Sequence, residues 1–192
     1  KTLTRFVNET AKEERPGHRL IKGQYRVATA YRGLGKKYLG AAINRYKDIE
    51  TRLEGADAHS YSNNEDEKKA NMSLLEGAKF YKAYCYSKYA PEGKSPLPYK
   101  QAALKAYLEL AQSHPKSNFA PASLLQAGIL WTVMDKPDEA QKVFAQLKKT
   151  YPESDEAGNV DYRMAMSLLE IGMRPRAIKV FKDMFAGTGT YS

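Results

Sequence analysis

The sequence predicts an all-α chain of stacked antiparallel helix pairs, and three observations lead there. Strand signals are nearly missing: the 192 residues contain no Asn-Gly or Asp-Gly hairpin turn and no sustained alternation of β-branched with polar residues. Helical patterning runs instead from one end to the other. Finally, one helical segment recurs. Ala103-Leu-Lys-Ala-Tyr107-Leu-Glu-Leu110 aligns without a gap with Ala140-Gln-Lys-Val-Phe144-Ala-Gln-Leu147 and Ala177-Ile-Lys-Val-Phe181-Lys-Asp-Met184, each copy 37 residues after the last, and Pro115 and Pro152 obey the same shift. Each copy sets a small residue, an aromatic four places on and an aliphatic three beyond that on one helical face. The small residue lets a neighbouring helix approach and the aromatic fills the space beside it. A unit of this length holds two helices and two turns but cannot bury its apolar face alone, so neighbours must stack.

The elements follow in order. Residues 2–14 read as a helix, the second half of an incomplete pair, closed by Pro16-Gly17. A first hairpin spans about 19–54, with Ala28, Tyr31 and Leu34 on one helix and Ala42, Ile43, Tyr46 and Ile49 on the next. Gly55 to Asn63 is a polar linker, and Asn64 with Glu67 forms a capping box. The second hairpin, about 65–113, starts with a long helix to Ala90 in which either Ala78 with Tyr81 or Ala83 with Tyr86 takes the key places. Three prolines between Pro91 and Pro98 exclude regular helix there. In the third hairpin, about 119–150, Pro121 suits the first turn and Leu124, Ala127, Gly128 and Trp131 share a face, until Asp135-Lys-Pro-Asp138 breaks the helix. In the fourth, about 156–185, Asp155 and Glu156 open a helix at its positive dipole end, Met164, Ala165 and Leu168 face inward, Gly172 ends it and Pro175 begins its partner. Residues 187–192 fall where another repeat should start, so 1–192 is expected to be a single piece of a longer array.

Composition narrows the function classes. Apolar residues at 42% and aromatics at 11% exclude wholesale disorder. Apolar runs extend only a few residues, as in Gly128-Ile-Leu-Trp131, so no segment spans a bilayer as a helix. A single cysteine excludes an internal disulfide and a cysteine-rich zinc site. The net charge is +9, and residues 1–54, with 13 basic and 6 acidic side chains, carry +7 of it. Such a balance permits an anionic partner without demanding one.

Catalytic and cofactor chemistry is sought and not found. His18, His59 and His114 sit near expected turns with no metal-ligand partner at helical spacing, which makes them solvated turn residues and leaves no metal or cofactor site. Cys85, within an aromatic helix, reads as a buried inert thiol. The glycines at 33, 35 and 40 follow a helix rather than a strand and lack a Lys-Ser/Thr ending, so they are turn residues and not a phosphate loop. The triplets Asn8-Glu-Thr10 and Asn71-Met-Ser73 lie in expected helices, against glycosylation. Asp155, Glu156 and Asp161 are helix-start acids. Nothing here supports an enzyme.

Two patterns bear on binding. Arg15, Arg19, Lys22 and Arg26 are spaced by four, three and four, a basic stripe opposite Leu20, Val27, Tyr31 and Leu34; Pro16 removes Arg15 if the helix begins there. The stripe is a solvated face or, alternatively, a docking surface for an acidic partner, for nucleic acid or for an anionic membrane. Tyr81, Tyr84, Tyr86, Tyr89, Tyr99 and Tyr107 crowd the second hairpin, chiefly for packing between helices. With Lys79, Lys82 and Lys88 interleaved they also leave open base stacking on single-stranded nucleic acid.

At this point the residues resemble a known family. Ala127-Gly128-x-x-Trp131, then Ala140-x-x-x-Phe144 and Pro152, is similar to the tetratricopeptide repeat. So are Ala165-x-x-Leu168-x-x-Ile171-Gly172 with Ala177 and Phe181, and Ala28-x-x-Tyr31-x-x-Leu34-Gly35 with Ala42 and Tyr46. The 37-residue period departs from the family's usual 34. With His-Pro-Lys-Ser at 114–117 and Tyr-Pro-Glu-Ser at 151–154, it resembles bacterial envelope members such as the barrel-assembly-machinery lipoprotein and the Tol–Pal periplasmic coordinator. The resemblance implies a right-handed superhelical solenoid whose first helices line a concave groove. Carried over, the groove residues would be Lys22, Tyr25 and Arg32, then Leu125, Ile129 and Thr132, then Asn159, Tyr162, Met166 and Leu169. Alternatively, neighbouring repeats cover them. The expected function is a non-catalytic scaffold without cofactor, binding a protein segment with an apolar anchor and an acidic portion. It is expected in the periplasm or at the outer membrane, with the cytoplasm as the alternative. An RNA-binding helical array using the basic first quarter is the second reading.

Overall fold

The computed structural model describes residues 17–187 together with Arg5, which is helical. The rest of the expected helix 2–14, Arg15, the Asn8 triplet and the tail after Gly187 lie outside the described residues. Among those described, every regular element is helical: α1 (Gly17–Gly33), α2 (Leu39–Glu54), α3 (Glu65–Lys88), α4 (Leu97–Ser113), α5 (Ala120–Val133), α6 (Pro137–Thr150), a single turn α7 (Asp155–Gly158), α8 (Val160–Glu170) and α9 (Arg174–Phe185). Short 3-10 turns fill Lys36–Tyr38 and Ala58–Tyr61. Helices adjacent in sequence pack on each other, α1 on α2, α2 on α3, α5 on α6 and α8 on α9. This is the all-α, tetratricopeptide-like solenoid class. The chain divides into two compact units, residues 1–106 and 107–192, with the division inside α4.

In the first unit the apolar faces of α1 and α2 close on each other through Leu20, Ile21, Val27, Ala28, Ala42, Ile43, Tyr46 and Ile49, all buried. Across this pair α3 is laid, and glycine makes the approach possible: a Cβ at Gly77 would stand 2.6 Å from the Tyr25 hydroxyl oxygen. Tyr46 then meets the Tyr25 ring edge-on at 5.9 Å and stacks on Tyr81 at 6.4 Å. Of the two pairings open in sequence, both alanines, Ala78 and Ala83, are fully buried, while Tyr81 and Tyr86 are half-buried. Lys79 pairs with Glu54 and Lys82 with Glu50, binding α3 to α2. Burial raises the Glu50 carboxyl pKa, and the facing Lys82 only partly opposes this.

The cap on α3 differs slightly from expectation. Asn64 accepts the Glu67 backbone N–H at 2.8 Å, but Glu67 returns the bond to the backbone N–H of Asn63, at 2.7 Å, one residue earlier than a regular capping box. Leu34 is a correction: placed on the inner face by period, it lies beyond the end of α1 and is exposed. His18 is another. It is a first-turn residue of α1 rather than a solvated turn residue, and its Nδ1–H donates to Asn71 Oδ1 at 2.6 Å, while the Asn71 amide donates to the Tyr61 carbonyl at 2.8 Å. Asn71 is buried with its amide engaged, which removes it as a glycan acceptor. The loop before α4 is shorter than expected, since Pro98 already sits in the first turn of the helix, where proline's missing N–H costs nothing.

Cys85 is fully buried, and burial pushes its thiol pKa up to about 11. At pH 8 the group is therefore a sequestered thiol rather than a thiolate. The folded chain is expected to leave a chromogenic disulfide reagent unreacted at pH 8, with one equivalent released only on adding denaturant; prompt reaction of the native chain would contradict the packing of α3.

In the second unit the register shows in burial: Ala140, Leu147 and Ala177 are fully covered and Phe144 nearly so, while Phe181 and Met184 of the last copy are half-buried. Phe144 lies against Gly128, where an added Cβ would come within 2.3 Å of its ring. The two turns 37 residues apart also touch, the Tyr151 hydroxyl donating to the Pro115 carbonyl at 2.8 Å. Ser154 caps α7 through the Ala157 N–H, as its place before the two acids suggests. The first helix of the fourth pair is interrupted at Asn159, whose side-chain amide donates to the Asp155 carbonyl at 2.9 Å. Arg176 bridges back to the end of α5, bonding Asp135 at 2.6 Å.

Candidate interaction surfaces

The expected groove residues separate into covered and open sets. In α1, Lys22 is exposed, whereas Tyr25 and Arg32 are half-buried between α1 and α3. The Arg32 guanidinium lies over the Tyr81 ring, 3.6 Å from its centroid, a cation–π contact that ties the two helices together. Burial raises the Tyr25 phenol pKa to about 12, with Tyr46 and Tyr81 adding to the shift and Arg32 opposing it. These two side chains therefore act chiefly as packing, which a reading of α1 alone could not reveal because their partners come from α3.

In α5, Leu125 is 1% and Ile129 6% exposed, so neither lines an open groove. α5 packs chiefly on α6 and also on α7 and α8, and Thr132, half-buried, donates to the Gly128 carbonyl at 3.1 Å and reaches the Met164 sulfur at 3.7 Å.

In the fourth pair the expected residues are open. Asn159 is exposed, and Tyr162, at 49%, stands with exposed Met166 and Leu169 in one row on α8. The Tyr162 ring meets Phe181 of α9 edge-on at 6.3 Å, which joins this row to a second one on α9. Exposed Ile178 and Phe185 belong to the second row and were not singled out from sequence, although they flank the Phe181 that was. Beneath the rows, Asp161 is buried with one carboxylate oxygen lacking a hydrogen-bond partner. Burial raises its carboxyl pKa, Lys148 opposing and Asp183 reinforcing the shift.

The basic stripe survives as geometry: Arg19, Lys22 and Arg26 are all exposed on α1, opposite buried Leu20 and Val27. A cleft of about 450 Å³ opens between the end of α2, the turn 58–61 and the start of α3, lined by Leu53, His59, Asn63, Lys68 and Met72 among others. Among the described residues no group of three or more His, Cys, Asp or Glu is placed to hold a metal ion. No helix among them is long and apolar enough to cross a membrane.

Among the described residues, paired helices in a repeating register define the class of a helical-repeat fold. Consistent with that class, residues 122–154, covering α5, α6 and the turn that follows, match the family model described as Tetratricopeptide repeat. Comparison with curated proteins and with solved structures returned no significant match.

Proposed function

We propose that this chain is a non-catalytic scaffold that holds a segment of a partner protein, with Tyr162, Met166 and Leu169 of α8 as its apolar anchor sites. The observation that carries this reading is the exposed row itself: large apolar side chains in regular array on a well-packed helix are stabilised by contact with another molecule. Asn159 at the start of that row and Lys22 on α1 supply polar contacts in the same scheme, and the stripe of Arg19, Lys22 and Arg26 favours a partner with acidic segments. A place in a bacterial envelope complex is supported by the 37-residue period and the proline-containing turns after the second helices. Net charge favours the RNA-binding alternative, but of the crowded tyrosines Tyr107 is buried, Tyr81 stacks on Tyr46 and Tyr89 meets Tyr99 edge-on, which leaves Tyr84 as an exposed ring.

The test is a pull-down from native cells with the full chain and with Tyr162→Ala combined with Met166→Ala. Both positions are exposed, so folding is expected to be unaffected. Envelope proteins recovered by the unaltered chain should be lost or strongly reduced with the double variant; equal recovery would argue against anchoring at α8.

A further inference from the structure

Placement at a helix start accounts for Asp155 and Glu156, both on the single turn α7, but not for Asp161, which is buried within α8. The 37-residue shift sets Asp161 in the place of Leu124, which is 1% exposed. Aligning Ala28 with Ala165 sets it against Gln24 of α1, also buried. One place in the repeat thus carries an aliphatic residue, a neutral amide and a carboxylic acid, each covered by the helices around it. In both Gln24 and Asp161 one side-chain oxygen is closed to solvent and has no hydrogen-bond partner. For an amide this forfeits one bond. For a carboxylate it leaves charge uncompensated, which is far more costly.

The surroundings of Asp161 do not make good the loss. α8 packs chiefly on α9 and also on α5 and α7. α5 carries no ionisable side chain, and α7 brings only the acids Asp155 and Glu156. From α9, Asp183 repels a negative charge at Asp161. The cations of α9 are turned elsewhere: Arg176 bonds Asp135, and Arg174, Lys179 and Lys182 are exposed, as are Arg163 and Glu170 on α8 itself. Attraction comes from Lys148 of α6, half-buried, and burial outweighs it, so the carboxyl pKa is raised. An oxygen closed to water is closed equally to any further side chain, so the imbalance is internal to these packed helices.

We propose that Asp161 is a proton-operated latch in the second unit: as a neutral acid it lets α8 seat on α9, and its ionisation loosens the first turns of α8. The neutral acid matches the neutral amide that α1 holds at the same place. The break at Asn159, two residues earlier, supplies the joint at which the start of α8 can part from its neighbours. The sign follows from linkage. A carboxyl whose folded pKa stands above its unfolded one stabilises fully below the ordinary carboxylate range, and that stability is lost as pH rises through the folded value. Mild acid therefore tightens α8, the reverse of denaturation by loss of carboxylate ion pairs.

The test uses the full chain with isotope-labelled aspartate. The carboxyl signal of Asp161, identified by its absence in Asp161→Asn, is expected to titrate above the ordinary aspartate value of about 4. Lys148→Gln should move that midpoint up and Asp183→Asn should move it down. Amide hydrogen exchange, corrected for its intrinsic pH dependence, reads the latch itself. Protection in α8 should fall between about pH 4 and about pH 8 by at least about threefold more in the unaltered chain than in Asp161→Asn. Asp161→Leu, which restores the residue found at Leu124, is a second neutral variant and should share the flat profile. An ordinary midpoint for Asp161 overturns the proposal. So does a raised midpoint with the same pH dependence of α8 protection in the unaltered and neutral chains.

Discussion

Gly128→Ala is expected to destabilise the second unit by about 2–3 kcal/mol, although a single methyl group is added. The new Cβ would fall 2.3 Å from the Phe144 ring, well inside contact distance, and Phe144 is only 1% exposed, so its ring has nowhere to swing. The methyl can be accommodated only by parting α5 from α6 or twisting Phe144 off its rotamer. Thermal or urea unfolding followed by circular dichroism measures the loss. Adding Phe144→Leu should recover part of it, because the smaller side chain vacates the place the methyl needs; the two changes then fail to add. Full additivity would mean that the two side chains do not compete for one space.

Tyr46→Ala is the counterpart in the first unit, with an expected loss of about 3–5 kcal/mol from the cavity left in a packed aromatic cluster. Tyr46 is fully buried and touches both Tyr25 and Tyr81, so its removal takes one ring contact from α1 and another from α3. Tyr46→Phe separates ring from hydroxyl. The hydroxyl's contact with Thr29 is 3.4 Å long, so this variant should cost less than about 1.5 kcal/mol. Denaturant titration of the three chains gives the comparison, and equal losses for Phe and Ala would place the stability in the hydrogen bond instead of the ring.

Much of this architecture was legible before any coordinates. Period and proline placement located α5, α6 and α9, because a helix that buries a fixed face must repeat its apolar side chains at helical spacing and proline favours the first turn. Leu34 misled for a local reason: period continues on paper after a helix has ended, and Gly33 closes α1 just before it. The site residues were harder. Leu125 and Tyr162 stand 37 residues apart at the same place in the repeat, yet one is buried and the other open. Nothing in their own segments separates them, since burial depends on what packs opposite. Tyr25 and Arg32 show the same limit, for their surroundings come from Gly77 and Tyr81 of a helix some fifty residues away.

Spacing along the chain thus dictated the helices, their pairing and the small-against-aromatic contacts inside each pair, all of which depend on side chains within one repeat. Which of the repeated faces are covered among the described residues was decided by stacking: burial is a property of what lies opposite, and an α-helix presents the same surface whether or not a neighbour arrives to cover it.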